Sequence, residues 1–347
     1  MLVSLFDYPL PAERIAQAAR PRGSSRLLVL DRKSGHVTHR RFENFPELLQ
    51  KGDLLVRNDV RVRPARLYGR DTEGRLVEIF LLQPAGSGIR RWAALAKPGR
   101  RARPGRLIRF EDGVSADVEE ARDGKRIVLF DRDVDDALLE RIGRTPLPPY
   151  IRREPGAPDR GEDRAAYQTV FAREPLAVAA PTAGLHFTDE TLTRILGKGV
   201  SISDLTLAVG AGTFKPVTAQ DTTGHALDPE EVQLPASTNR AVERARQEGR
   251  RVVAVGTTVT RALEAAARLP GESNPAAERR FATGLFITPG FEFRTVDALL
   301  TNFHLPRSTL LMLVCAFAGR ENVLAAYQEA IRQGYLFYSF GDAMFIR

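Results

Sequence analysis

Four times along the chain an apolar run leads into a loop rich in glycine, threonine or histidine and then into a helix signal. The runs are 176–180, 200–208, 252–255 and 296–300, and the loops that follow are 181–188, 209–214, 256–258 and 301–308. Strands that alternate with helices define an α/β domain, because each helix covers the face its neighbouring strands expose. Loops at the carboxyl ends of such strands present backbone donors and side chains to a shared crevice, where α/β sheets bind ligands. Helix entry is marked chemically as well. Thr188, ahead of Asp189 and Glu190, reads as an N-cap with an acidic first turn, Ser308 as the N-cap of an apolar helix 310–318, and Gly319 as its C-cap.

Two of only five histidines sit in these loops, each beside a phenylalanine: His186 with Phe187, and His304 with Phe303. An unperturbed imidazole titrates at about 6.5, so a histidine at a strand end is a candidate acid or base. Thr182, Ala183, Gly184, Gly210, Gly212, Thr213, Thr257 and Asn302 fill out the loops. Small residues there let a ligand approach the backbone, while threonine hydroxyls and helix-terminal amides suit hydroxyl or carboxylate groups. The polar segment Arg57-Asn58-Asp59 follows a further strand, 53–56, and joins the same set.

At 347 residues, with 43% hydrophobic and 27% charged content, the chain buries a large core and divides into two domains or one domain with an insertion. The pattern favours the insertion. Residues 1–65 hold strands at 26–31 and 53–56 and an amphipathic segment at 42–49. From 66 to 145 come short β-runs at 76–82, 91–96, 106–110, 114–120 and 125–130, broken by glycine turns, and then a helix at 134–142. Beyond 146 the strand and helix alternation resumes, with helices at 237–249, where Ser237 reads as the N-cap, 259–269 and 322–333. The expected fold is a mixed-sheet α/β main domain, 1–65 and 146–347, carrying an inserted small antiparallel β-barrel, 66–145.

No apolar stretch reaches the roughly 18 residues of a spanning helix, and the N-terminus lacks a basic region ahead of an apolar core. A cytoplasmic protein without membrane contact is expected. The single cysteine, Cys315, lies in an apolar run and reads as a buried thiol, which excludes a disulfide framework. Lys and Arg number 51 against 43 Asp and Glu, and the net charge of +8 favours a polyanionic partner. Arginine carries nearly all of it, and its planar fork matches phosphate.

Ten segments in order resemble the S-adenosylmethionine:tRNA ribosyltransferase-isomerase family of the queuosine pathway. They include Phe6-Asp7-Tyr8-Pro9-Leu10-Pro11, Asn58 to Leu67, Lys97-Pro98-Gly99-Arg100, Pro146 to Ile151, Tyr167 to Ala172, both histidine blocks and Tyr338 to Met344. The resemblance implies transfer of the ribosyl part of S-adenosylmethionine to 7-aminomethyl-7-deazaguanine at the tRNA wobble position. The sugar is rearranged to give epoxyqueuosine, with release of adenine and methionine. It also implies an α/β domain with an inserted barrel, no metal, and no cofactor, since S-adenosylmethionine is consumed as a substrate. The chain departs from the family at Asp228, where a second histidine is usual, and at Val259-Thr260, where a serine and a valine are common.

Under that resemblance His186 is the expected base for the proton beside the sulfonium, with His304 placing the leaving adenine or supplying its proton. Asp342, with Asp59 second, is expected to hold the cationic aminomethyl group and share its proton. Phe187, Phe214 or Phe303 would lie over the sulfonium, and the loop residues named above would bind ribose and the methionine carboxylate. Arg63, Arg100, Arg101, Arg152 and Arg153 are the expected phosphate contacts of a monomer that turns the target base out of the anticodon stack. Two rival readings are a methyltransferase, from the glycine-rich segment Val209 to Gly212, and a non-catalytic RNA-binding protein, from the charge and the barrel.

Overall fold

The computed structural model describes residues 1–210, 219–269 and 277–347. They form two compact units: Met1–Arg61 with Gln168–Glu174 and Ala180–Arg347, and Val62–Tyr167 with Pro175–Ala179.

The first unit is built on a nine-stranded mixed sheet. Its strands in chain order are β1 (Arg26–Leu30), β2 (Val37–Arg41), β3 (Leu54–Asn58), β4 (Ser201–Leu207), β5 (Glu230–Leu234), β6 (Val252–Val255), β7 (Arg279–Thr283), β8 (Ala298–Asn302) and β9 (Ala343–Ile346). They lie side by side as β7-β5-β4-β3-β6-β8-β9-β1-β2. The run β4-β3-β6-β8 is parallel, with Ile202 against Leu55, Val253 against Leu55 and Val255 against Leu300. Four strand ends therefore point the same way. The C-terminal strand β9 inserts between β8, to which it is antiparallel, and β1, to which it is parallel.

β3 and β6 are buried along their whole length, and 54–56 of β3 and all of β6 are unbroken apolar runs, as strands covered on both faces show. On one face Leu27, Val29, Leu55, Val253, Val255, Ala298, Leu300 and Phe345 pack against Phe42, Phe45, Phe187 and Ile195. The helices behave as their ends predict. Thr188 accepts from the Thr191 amide at 3.0 Å to start Asp189–Gly197, and Ser308 accepts from the Leu311 amide at 3.2 Å to start Thr309–Ala318. Ser237 is not a cap: its helix runs Ala236–Gln247 behind Pro235. Cys315 is buried on the apolar helix Thr309–Ala318, and burial raises its thiol to about 12. Among the described residues no single helix is long and apolar enough to cross a membrane.

The second unit is a small antiparallel barrel. Arg66–Arg70, Leu76–Pro84, Arg91–Lys97, Lys125–Phe130, Ser115–Arg122 and Leu107–Arg109 pair in that order, and Arg70 meets Arg109 to close the ring. Closure needs a glycine at 69, because a Cβ there would lie 2.6 Å from Ile108 Cγ2 and 2.8 Å from the Arg109 carbonyl. Leu67, Ile79, Leu81, Ala94, Ile108, Val118, Val128 and Phe130 are all buried and fill the interior. The unit extends past residue 145, the boundary expected from composition, to Tyr167. Polar tethers hold the extra segment: the Thr145 hydroxyl donates to Asp159 at 2.7 Å, Arg164 to the Gly143 carbonyl at 2.9 Å, and Arg66 to the Leu147 carbonyl at 2.9 Å. A proline-rich loop gives no periodicity from which those bonds could be read.

Candidate active site

The strand ends of the first unit assemble the candidate site. β6 leads into Gly256, whose φ of 94° turns the chain into the helix Thr257–Ala266 and whose N–H donates to the Leu300 carbonyl at 2.8 Å. That conformation suits only glycine. A Cβ at 256 would meet Ala183 at 3.7 Å, so the histidine loop and the β6 loop abut. β8 ends at Thr301 and Asn302, and alternation puts their side chains on opposite faces of the sheet.

His186 belongs to the face of Asn302. Residues Thr182–His186 form a 3-10 turn, and the imidazole they present is 4% exposed. Its Nδ1 lies 3.0 Å from Ser25 Oγ, its Nε2 lies 3.2 Å from Asn302 Nδ2, and Phe42 packs on the ring at 5.3 Å. Burial pushes its pKa down to about 4, and the Arg22 guanidinium acts in the same direction. Arg22 in turn donates to the Leu185 carbonyl at 3.0 Å and to the Gln168 carbonyl, and the Gly23 N–H donates to the His186 carbonyl at 3.0 Å. The segment 20–26 thus straps the histidine loop.

His304 is held from the other face. Its Nε2 is 2.8 Å from Thr301 Oγ1, its N–H donates to the Tyr327 hydroxyl at 3.1 Å, and its carbonyl accepts from the Tyr8 hydroxyl. Burial lowers its pKa to about 3. Both imidazoles therefore sit at the end of β8, but through neighbouring residues on opposite faces, and no described contact joins them. The expectation of two imidazoles with ordinary pKa values gives way to two neutral, buried rings.

The two candidate carboxylates have different surroundings. Asp342 is completely buried, and its oxygens accept from Arg20 Nη1 at 2.9 Å, the Arg26 amide at 2.8 Å and the Leu336 amide at 2.8 Å. A carboxylate so engaged ties the strap at 20–26 to the C-terminal turn. Asp59, just past β3 and 8% exposed, accepts a hydrogen bond from the Thr206 hydroxyl at 2.7 Å. Burial raises its pKa, and nearby Asp204 and Glu174 add to the rise while Thr206 and Arg173 oppose it. Arg57, two residues earlier, pairs with Asp204 at 2.7 and 2.9 Å and lies 4.2 Å over the Phe171 ring. A buried carboxyl with a raised pKa at a strand end is a candidate acid–base group.

Other expected ligand residues turn out to be packing. Phe187 is fully buried edge-to-face against Phe42, Phe45 and Phe171, and Phe303 is fully buried against Tyr327, Tyr335 and Phe337. Ala183 is buried in the same core as Phe187, and Thr182 is half-buried in the turn. Gly184 is glycine because a Cβ would come within 2.8 Å of both Phe171 Cζ and Thr169 Cγ2. Thr257, buried, opens the helix after Gly256, and the Gly210 N–H donates to Glu230 Oε1 at 3.2 Å. Gly212, Thr213 and Phe214 lie outside the described residues. Glu230 also accepts from Arg261, a buried pair in which burial lowers the guanidinium pKa to about 10. Asp228, at the position of the usual family histidine, is exposed.

All five expected phosphate-binding arginines belong to the barrel unit. Arg153 is committed to Asp163 at 2.7 and 2.8 Å, Arg63 to Asp136 at 3.1 Å, and Arg101 to the Leu76 carbonyl at 2.8 Å. Arg100 and Arg152 are exposed. Sequence reasoning missed Arg22, Ser25 and Tyr338 as site-building residues. The one local signal was the polar run Pro21-Arg22-Gly23-Ser24-Ser25 directly before the apolar β1.

A family model described as queuosine biosynthesis protein matches residues 3–346. The chain is 49% identical over 351 residues to the S-adenosylmethionine:tRNA ribosyltransferase-isomerase of Heliobacterium modesticaldum, covering all of both chains. It is 47% identical over 348 residues to the enzyme of that name from Thermotoga maritima, again covering all of both. The crystal structure of S-adenosylmethionine tRNA ribosyltransferase from Thermotoga maritima is similar at a TM-score of 0.56 and 39% identity, over 99% of this chain and 100% of that one.

Proposed function

This chain belongs to the queuosine biosynthesis protein family, and from that premise we infer how its site divides the work. The reaction is that of an S-adenosylmethionine:tRNA ribosyltransferase-isomerase: the ribosyl part of S-adenosylmethionine is moved to tRNA and rearranged. We take the acceptor to be 7-aminomethyl-7-deazaguanine at the wobble position and the product to be epoxyqueuosine, with adenine and methionine leaving. S-adenosylmethionine is spent as a substrate, so the reading requires no resident cofactor.

The observation that carries the division of labour is the contrast between Asp59 and the two histidines. The aminomethyl group arrives as a cation and attacks only as the free amine, so a group must bind the cation and take its proton. Efficient transfer needs an acceptor whose pKa is raised toward the working range. Burial moves Asp59 in that direction and moves His186 and His304 away from it. Asp59 therefore takes the role first given to Asp342, and Thr206 fixes its carboxylate. His186 remains at the site as a neutral hydrogen-bonding group. The Thr257 end of the buried helix supplies free amides suited to the methionine carboxylate, and exposed Arg100 and Arg152 meet phosphates.

Purified protein incubated with S-adenosylmethionine and tRNA carrying the aminomethyl base tests the reading by chromatography of the small products. Adenine and methionine are expected together. S-adenosylhomocysteine in their place would identify a methyltransferase, and binding of tRNA without consumption of S-adenosylmethionine would identify a non-catalytic RNA-binding protein.

A further inference from the structure

Four groups, His186 among them, form a chain in which each fixes the next. The Tyr338 carbonyl can only accept, so the Asn302 atom 3.0 Å from it is the amide nitrogen. That nitrogen also lies 3.2 Å from His186 Nε2, which must then offer a lone pair. The ring's one proton is left on Nδ1 and is donated to Ser25 Oγ at 3.0 Å. Turning the amide over would set Oδ1 against the Tyr338 carbonyl, two acceptors at 3.0 Å. In the observed orientation Asn302 Oδ1 is buried without a partner among the described residues, so nothing else competes to orient the amide.

Ser25, 6% exposed, is the last member of the chain. Its hydroxyl oxygen accepts from His186, and the described residues offer no acceptor for its own hydrogen. Among the described residues the charged group facing the imidazole is Arg22, which disfavours a second positive charge on the ring; Phe42 covers the ring, and none of these residues brings a carboxylate against it. A neutral ring in one tautomer is thus a rigid pointer for the serine.

We propose that Ser25 is a substrate-facing hydrogen-bond donor of the ribosyl transfer, its hydroxyl hydrogen aimed by His186, Asn302 and the Tyr338 carbonyl at an acceptor atom of the S-adenosylmethionine nucleoside. The acceptor is a purine ring nitrogen or a ribose oxygen. In the first case the bond strengthens as adenine departs with the electron pair of the broken C–N bond; in the second it strengthens as charge develops on the sugar oxygen. His186 and Asn302 act through Ser25 and are positioning residues. This inference rests on the function proposed above.

The tautomer is read by nitrogen NMR of the full-length protein labelled with ¹⁵N-histidine. Nδ1 of His186 should carry the proton, Nε2 should show a free lone pair, and neither should titrate between roughly pH 5.5 and 8.5, where an ordinary histidine does. A proton on Nε2, or a charged ring at neutral pH, would overturn the pointer. Ser25→Ala should cut kcat by about a hundredfold, the usual effect of losing one donor aimed at developing charge, with S-adenosylmethionine binding changed only a few-fold; Ser25→Thr, which keeps the hydroxyl, should recover part of the loss. Turnover of Ser25→Ala within about twofold of wild type would refute the donor role, since a lost donor costs more than that. Deaza-purine and deoxyribose analogues of S-adenosylmethionine then locate the acceptor: the analogue that slows the wild type but not Ser25→Ala lacks it. Additive losses with every analogue would also refute the role. Absence of adenine release by the wild type would instead count against the proposed function.

Discussion

Replacing Asp342 with asparagine tests whether this carboxylate builds the site or reacts in it. Its oxygens accept from Arg20 Nη1, the Arg26 amide and the Leu336 amide, all within 2.9 Å, and the side chain has no exposure. An asparagine can keep its single oxygen toward Arg20 and Arg26, but its NH2 then meets the Leu336 N–H, donor against donor. The lost charge-assisted bond is worth about 1.5–3 kcal/mol and the stranded N–H another ~1–3 kcal/mol. Weakening of the Arg20 attraction adds little, because that guanidinium is 37% exposed and well screened. The total is about 4 kcal/mol, which lowers Tm by roughly 8–16 °C in a unit of this size. Differential scanning calorimetry of Asp342→Asn, with turnover measured at a temperature well below the new transition, is the assay. Turnover per folded molecule should stay within about threefold, far above the loss expected from deleting an acid–base group. A variant as stable as wild type but without turnover would refute the structural assignment and return Asp342 to the chemistry.

Asp59→Asn should lower kcat by about 10²–10⁴, the span of one general acid–base group, and should remove the acidic limb of the wild-type kcat/KM profile, which lies above the ordinary carboxylate range because burial raises this pKa. Between the unfolded value and the raised folded one the native state holds the extra proton, so the contribution of Asp59 to stability falls as pH rises through its folded pKa; urea unfolding at pH 7 should show Asp59→Asn more stable than wild type. Glu230→Ala strands the buried Arg261 guanidinium and should cost about 3–5 kcal/mol in denaturant unfolding, with the double variant Glu230→Ala, Arg261→Ala costing less than the sum. Removing both Arg100 and Arg152 should weaken tRNA binding and reduce the slope of log K against log salt by about 1.5, whereas removing Arg153 should act on stability through Asp163.

Much of the main unit's element content was legible because its signals are local. Thr188 and Ser308 cap the helices they precede, β6 spans the residues its apolar run marks, and both histidine loops lie before helices. β2, β5, β7 and β9 went unread: Val37–Arg41, Glu230–Leu234 and Arg279–Thr283 are half polar and carry no apolar run, and Ala343–Ile346 is only four residues long. The expected strand at 176–180 is in fact Glu174–Ala177 and is not a strand of the nine-stranded sheet. The loops were identified as a set, but which of their side chains would react was not readable from residue type.

By itself the amino-acid order determined an α/β unit with an inserted barrel, the helix ends, and a set of polar strand-end loops, since propensity, capping and periodicity act over a few neighbouring residues. Tertiary structure alone decided that β9 would lie between β8 and β1, that Asp342 would be spent on backbone amides while Asp59 kept a raised pKa, and that His186 would be neutral. The physical reason is that desolvation and hydrogen-bond partnership are set by residues distant in the chain: Ser25 is 161 positions from His186 and Asn302 is 116. Only closure of those long loops gives each ionisable group the surroundings that fix its charge.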